Sequence, residues 1–223
     1  MMRSFGSRPD CKVMDEPFYA AYLAKTGLAH PMANEIIADG EIDPAKVVAQ
    51  CLTGSPLGIV YQKHMTHHMI TGFDVSWISK VTNVFLIRDP ARVLSSYTVK
   101  SENVTAEDIG FRKQLDLYEL AVKSGEMPAV VDAHDIRQNP KVMLEKLCSA
   151  IGIAFNANML GWPAGPRPED GIWARHWYDA VWKSTAFAPP EIGEPSPLTG
   201  KLKAIEDEVR PYYEQMRRFR ILP

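Results

Sequence analysis

A three-layer α/β fold, with a parallel sheet between helices on both faces, is what this sequence predicts. Two observations carry it. Four short apolar runs alternate with longer stretches of helical spacing, and the last two runs with their intervening pattern read as strand, long helix, strand. Parallel neighbours need crossover connections of a dozen or more residues, and the intervals here are long enough to hold them. The chain has 223 residues, 46% of them hydrophobic. That is enough to bury a substantial core in one domain spanning residues 1–223.

Taken in order, Met1 to Gly6 reads as the end of a helix stopped by Gly6, with Arg3 in its last turn and Pro9 beyond. Cys11 to Met14 is the first strand, running into Asp15-Glu16-Pro17 where the next helix begins. From Tyr19 to Leu52 the spacing is helical, with turns at Gly27, Gly40 and Asp43-Pro44. Asp43 suits an N-cap and Pro44 the first helical position. Gly58 to Gln62 is the second strand and leads into Lys63-His64-Met65-Thr66-His67-His68. The third, Val84 to Ile87, has the four-residue apolar run of a short buried strand and ends on Arg88-Asp89-Pro90, an immediate helix start capped by Asp89. Thr105 to Asp108 has capping-box spacing and opens a long helix through Ile109, Leu115, Tyr118 and Val122 to Gly125. Ala129 to Ala133 is the fourth strand, with His134 and Asp135 as turn residues after it, and Asn139-Pro140 begins a helix that ends at Gly152. Residues 163–197, dense in Gly, Pro and Trp, form an irregular covering segment. Gly200 to Arg220 is a packing helix with Leu202, Ile205, Val209, Tyr212 and Met216 inward.

Composition narrows the function. A net charge of -2 argues against a nucleic-acid binder. The one basic cluster, Arg217-Arg218 with Arg220, suits the end of a helix. Three scattered cysteines without Cys-x-x-Cys spacing indicate neither a disulfide framework nor a zinc ribbon, and fit a reducing cytoplasm. No apolar run approaches a membrane span and no hydrophobic signal core opens the chain, so neither a membrane location nor export is expected.

The chemistry sits at the strand ends. Arg88, at the carboxyl end of the third strand beside a helix N-terminus, stands where anionic ligands settle in open α/β sheets. Arg88 and Ser96, eight residues apart, can close on one phosphate. The same spacing also allows Arg88 to pair with a nearby carboxylate while Ser96 is an ordinary surface serine. Glu16 lies at the end of the first strand as either a site carboxylate or a helix-dipole partner. His64, with His67 and His68, offers imidazoles that titrate near neutrality. His64 and His68, four apart, would share one face of a helix, and with His67 the three can be read as the metal cluster of a metal-dependent hydrolase, but no acidic third ligand stands at a recognisable distance, so no metal is assigned.

The element Arg88-Asp89-Pro90 with Ser96 after an apolar strand resembles the 3′-phosphate-binding element of sulfotransferases that use 3′-phosphoadenosine 5′-phosphosulfate (PAPS). Asp15-Glu16-Pro17-Phe18-Tyr19, Tyr61-Gln62-Lys63-His64-Met65, and Trp177-Tyr178 with Ser184-Thr185 resemble a bacterial branch of that family. The resemblance covers nearly the whole chain and implies a nucleoside-kinase-like P-loop fold of sulfotransferase type. It implies sulfuryl transfer from PAPS to a hydroxyl or amine of a small acceptor, without metal. In its terms Arg88 and Ser96 hold the 3′-phosphate, His64 or Glu16 is the base, and Lys63 offsets the departing charge. Trp173 and Lys183 in the covering segment meet the nucleotide. This sequence departs from the family twice. Lys63 and His64 are adjacent where the family usually leaves one residue between them. The first strand and the loop that cradles the 5′-phosphosulfate are absent from the sequence, which fits either a start placed at an internal methionine or a donor-loop-deficient homologue that binds the nucleotide without catalysis. The acceptor and the oligomeric state are not legible.

Overall fold

The computed structural model describes residues 1–99 and 103–223. In chain order its elements are α1 (Met2–Phe5), β1 (Cys11–Asp15), α2 (Tyr19–Thr26), α3 (Ala33–Asp39), α4 (Pro44–Cys51), β2 (Ile59–Lys63), β3 (Val84–Ile87), α5 (Pro90–Tyr97), α6 (Ala106–Ile109), α7 (Phe111–Lys123), β4 (Ala129–Asp132), α8 (Ala133–Gln138), α9 (Pro140–Ala150), α10 (Ala174–Trp177), α11 (Asp179–Lys183) and α12 (Gly200–Arg217). The fold is mixed α/β with parallel strands. Among the described residues the strands form two parallel pairs, β1 with β2 and β3 with β4. The chain divides into two units, one of Met1–Lys80 with Asn156–Ala188, the other of Val81–Phe155 with Pro189–Pro223.

In the first unit, the β1–β2 register runs from Cys11 opposite Ile59 to Asp15 opposite Lys63, so both strands end together at a carboxylate and an ammonium. The helices after β1 pack an aromatic-rich core of Tyr19, Tyr22, Leu23 and Ile36 that takes in Trp173, Ala174 and Tyr178 from the covering segment. Gly6 does end α1, but in an ordinary right-handed conformation rather than the left-handed one common at helix stops. Space there is tight: a Cβ would lie 3.0 Å from Val13 Cγ2 and 3.1 Å from Arg167 Nη1, so its neighbours would have to give. Arg3 and Asp170, both almost fully buried, pair at 2.8 Å and tie α1 to the covering segment.

In the second unit, β4 is buried along its length, whereas β3 alternates. Phe85 and Ile87 face inward, and Val84 and Leu86 are more than a third exposed, so β3 is a half-buried strand rather than the fully buried one its apolar run suggests. The bond from Ile221 N to Val130 O lays the chain end along β4. The expected long helix after Thr105 is two helices. Thr105 and Asp108 do form the reciprocal capping box. Gly110 then turns left-handed (φ 66°), which a Gly tolerates without a Cβ clash, and α7 starts afresh at Phe111. On α7, Val122 is exposed, while Leu115, Tyr118 and Ala121 are buried. On α12 the inward tyrosine is Tyr213 rather than Tyr212, and its hydroxyl donates to Asp132 at 2.9 Å. No helix among the described residues is long and apolar enough to cross a membrane.

Asp89 caps α5 as expected, accepting from Ala91 N at 2.9 Å and Arg92 N at 3.3 Å, and its other oxygen meets Arg210 at 3.2 Å. Asp89→Ala removes the cap and that ion pair together. A loss of about 1–2 kcal/mol in urea unfolding is expected; an unchanged midpoint would show that the cap contributes nothing.

Candidate functional site

The parallel register of β1 and β2 sets Lys63 beside Asp15, and the residue after β1 completes the arrangement. Glu16 has φ 42°, a left-handed conformation that residues with a Cβ seldom adopt. Its amide donates to Lys63 O at 2.8 Å and its carbonyl accepts from Tyr19 N at 3.0 Å. The strained residue is thereby fixed between the end of β2 and the start of α2, with its carboxylate turned onto Lys63. Lys63 Nζ donates to Glu16 Oε1 and, at 2.7 Å, to Tyr178 Oη, and lies 3.4 Å from Asp15 Oδ1. The Tyr178 hydroxyl in turn donates its hydrogen bond to Asp15, 2.7 Å from Oδ2 and 2.9 Å from Oδ1. Asp15 therefore does not cap α2. It is a buried acceptor for a tyrosine that also receives the lysine.

Burial controls the charges here. Side-chain exposure is 1% at Asp15, 9% at Glu16 and 26% at Lys63. Burial, with Asp15 adding to it, lifts the Glu16 carboxyl above its ordinary range against the pull of Lys63. Burial also works against the Lys63 charge, but Glu16, Asp15 and Tyr178 outweigh it and hold the ammonium above the ordinary lysine range. The proton thus stays on Lys63, and Glu16 is an ionised carboxylate with raised proton affinity.

His64 stands apart from this network. Gln62 donates its amide to Cys51 O at 2.6 Å, which turns its carbonyl oxygen to His64 Nε2 at 3.0 Å. Nε2 must then carry the hydrogen, leaving the lone pair on Nδ1. Its ring lies against Phe18 and Trp77, and burial pushes its pKa down to about 4. His68 is stacked between Tyr19 and Tyr22, its Nδ1 buried 3.9 Å from Glu16 Oε2. The expected possibility of His64 and His68 on one helical face does not arise, because only Thr66–His68 forms a single 3-10 turn. No three His, Cys, Asp or Glu side chains among the described residues are arranged to hold a metal ion. Trp173 is packed edge-on to Tyr19 in the core, and Lys183 is exposed at the end of α11.

In the second unit Arg88 emerges from β3 directly ahead of the capped start of α5. Its guanidinium holds Glu191 at 2.5 Å, and its Nε is buried with no hydrogen-bond partner among the described residues. Arg92 and Arg137 reach the same carboxylate at 3.3 and 2.8 Å. Ser96 is exposed on α5. Sequence reasoning named Lys63 and Glu16 separately and did not pair them; it also missed Tyr178 and Asp15 as their partners and Arg92, Arg137 and Glu191 around Arg88. Tyr178 had one signal, its place in the Trp177-Tyr178 segment that resembles the family.

A family model described as a sulfotransferase domain matches residues 1–219. The chain belongs to the sulfotransferase-domain family. Membership supports sulfuryl transfer as its general chemistry. Two proteins of Arabidopsis thaliana share sequence with this sulfotransferase domain. Branched-chain-amino-acid aminotransferase-like protein 2 is 36% identical over 193 residues, and protein 1 of the same name is 35% identical over 192; in both the match covers 86% of this chain and 34% of the relative. The chain thus spans about a third of their length. A solved sulfotransferase domain from the curacin biosynthetic pathway aligns over 92% of this chain and 79% of its own, at TM-score 0.39 and 13% identity.

Lys63→Met leaves two buried carboxyls without their cation. The variant should lose about 3 kcal/mol at neutral pH. In it the buried Glu16 carboxyl, already raised by burial, loses the cation that opposed the shift, so its folded pKa lies above the unfolded one, the native state binds the extra proton, and stability falls as pH rises through the carboxylate range. Urea unfolding at about pH 4.5 and about pH 7.5 reads this out; a penalty that is the same at both would contradict the assigned charges.

Proposed function

We propose that this domain transfers a sulfuryl group from PAPS to a hydroxyl or amine of a small acceptor. The observation that carries the reading is Arg88. It follows a parallel strand, precedes a capped helix start, already holds an anionic oxygen, and keeps one buried donor without a partner among the described residues. A 3′-phosphate supplies acceptor oxygens for such a fork, and Ser96 adds a hydroxyl from the same helix. Trp173 and Lys183 are less suited to nucleotide contact, the first because it is packed into a core and the second because it stands at the surface.

In the reaction the acceptor oxygen or nitrogen bonds to sulfur as its proton leaves to a base. The sulfur–oxygen bond to the donor phosphate breaks, and its electron pair departs with 3′-phosphoadenosine 5′-phosphate. Glu16 is the stronger base, since burial lifts its carboxyl above the ordinary carboxylate range while burial pushes His64 down to about 4. Lys63 is the cation that offsets charge on the departing phosphate. Its protonated state, secured by Glu16 and Asp15, is the one that role needs. His64, neutral and fixed by Gln62, serves as a polar group in the aromatic wall formed with Phe18 and Trp77.

Calorimetry with 3′-phosphoadenosine 5′-phosphate against adenosine 5′-phosphate tests the nucleotide half of this reading. The 3′-phosphate should improve binding by about 1.5–3 kcal/mol, and Arg88→Ala should abolish the preference. Equal affinity for the two nucleotides in the unsubstituted domain would refute it.

A further inference from the structure

Glu191 is unusual in how it is held. Three guanidiniums from separate places converge on its carboxylate: Arg88 after β3, Arg92 in the first turn of α5, and Arg137 in α8. The same arginines hold the backbone on either side, Arg137 donating to Pro189 O at 2.8 Å and Arg92 to Gly193 O. Residues 189–193 have neither helix nor strand, and the one large apolar side chain among them, Ile192, is 96% exposed. The strap is therefore held through charge and hydrogen bonds rather than through burial of apolar surface. Burial would raise the Glu191 carboxyl, but hydrogen bonds and charge from Arg137 and Arg88 hold it below its ordinary range.

We infer that Glu191 is a built-in competitor. Its carboxylate occupies the guanidinium cluster of Arg88, Arg92 and Arg137, and a phosphate dianion must displace it to bind there. A carboxylate brings one charge and two oxygens, while a phosphate monoester brings nearly two charges and three oxygens, so the dianion is the better match for three forked donors. A contact without an apolar anchor can be exchanged without exposing core. The consequence is regulatory: the strap lowers affinity for the anion by the fraction of time it is closed, and swings free when the anion is seated. The inference rests on the nucleotide reading for the identity of the natural ligand, but not for the competition itself.

Two measurements test it. Glu191→Gln removes the charge with little change of shape. It should bind both 3′-phosphoadenosine 5′-phosphate and inorganic phosphate about tenfold tighter, the factor expected of a site open about one-tenth of the time. Unchanged or weaker binding of both probes overturns the inference. If inorganic phosphate binds tighter to the variant while neither protein prefers the 3′-phosphorylated nucleotide, the competition stands and the nucleotide reading falls. The second measurement uses the unsubstituted protein and does not depend on how the variant folds. A glutamate-specific protease cuts after Glu191 only when that side chain is released, and Glu194 is followed by Pro195, which blocks cleavage there. Saturating 3′-phosphoadenosine 5′-phosphate or phosphate should speed the cut at Glu191. A slower or unchanged cut overturns the inference.

Discussion

One ammonium group, that of Lys63, is the constraint on which the first unit depends. Two strands of five residues place it opposite Asp15, and a strained Glu16 brings a second carboxylate to it. Taking three ionisable groups partly out of water costs several kcal/mol per ion, and such an arrangement persists only when every partner is satisfied. Tyr178 completes it by receiving a bond from the lysine and donating to the aspartate. Remove the lysine and the remaining charges repel. Remove the tyrosine and a buried carboxylate loses its donor. The strain at Glu16 is sustained by its backbone bonds to β2 and α2, so the residue that presents its carboxylate to Lys63 also closes the strand end.

The second unit solves a different problem with similar means. Arg88, Arg92 and Arg137 are brought near one another by a strand end and two helices, and like charges at that distance need an anion between them. Glu191 supplies it from an irregular strap. Family membership over residues 1–219 supports sulfuryl transfer, a chemistry in which anions are both bound and released. A cluster that keeps a weaker anion of its own can remain folded when no ligand is present and still yield to a stronger one.

Much of the fold was legible because its signals are local. The four apolar runs are the four strands, within a residue at their ends. Asp43, Asp89, Thr105 and Asn139 cap the helices they precede, since a cap is written in three or four consecutive residues. Spacing alone failed at Gly110, where one left-handed glycine divided a continuous helical pattern, and at β3, where an all-apolar run turned out half exposed. The site was legible only in part. Lys63, Glu16 and Arg88 stand at strand ends, where a sequence can mark them. Their partners cannot be read this way, because Tyr178 lies 115 residues from Lys63 and Glu191 lies 103 from Arg88 along the chain. No local pattern specifies such a pairing.

The central claim is that Lys63 keeps its proton because Glu16 and Asp15 hold it there. Nitrogen-15 NMR of the lysine side chains, titrated upward through the ordinary lysine value of 10.5, tests that claim directly. The account predicts that one ammonium signal, absent from Lys63→Met, stays protonated after the surface lysines have lost their protons. Titration of that signal together with the others, or below them, would contradict it.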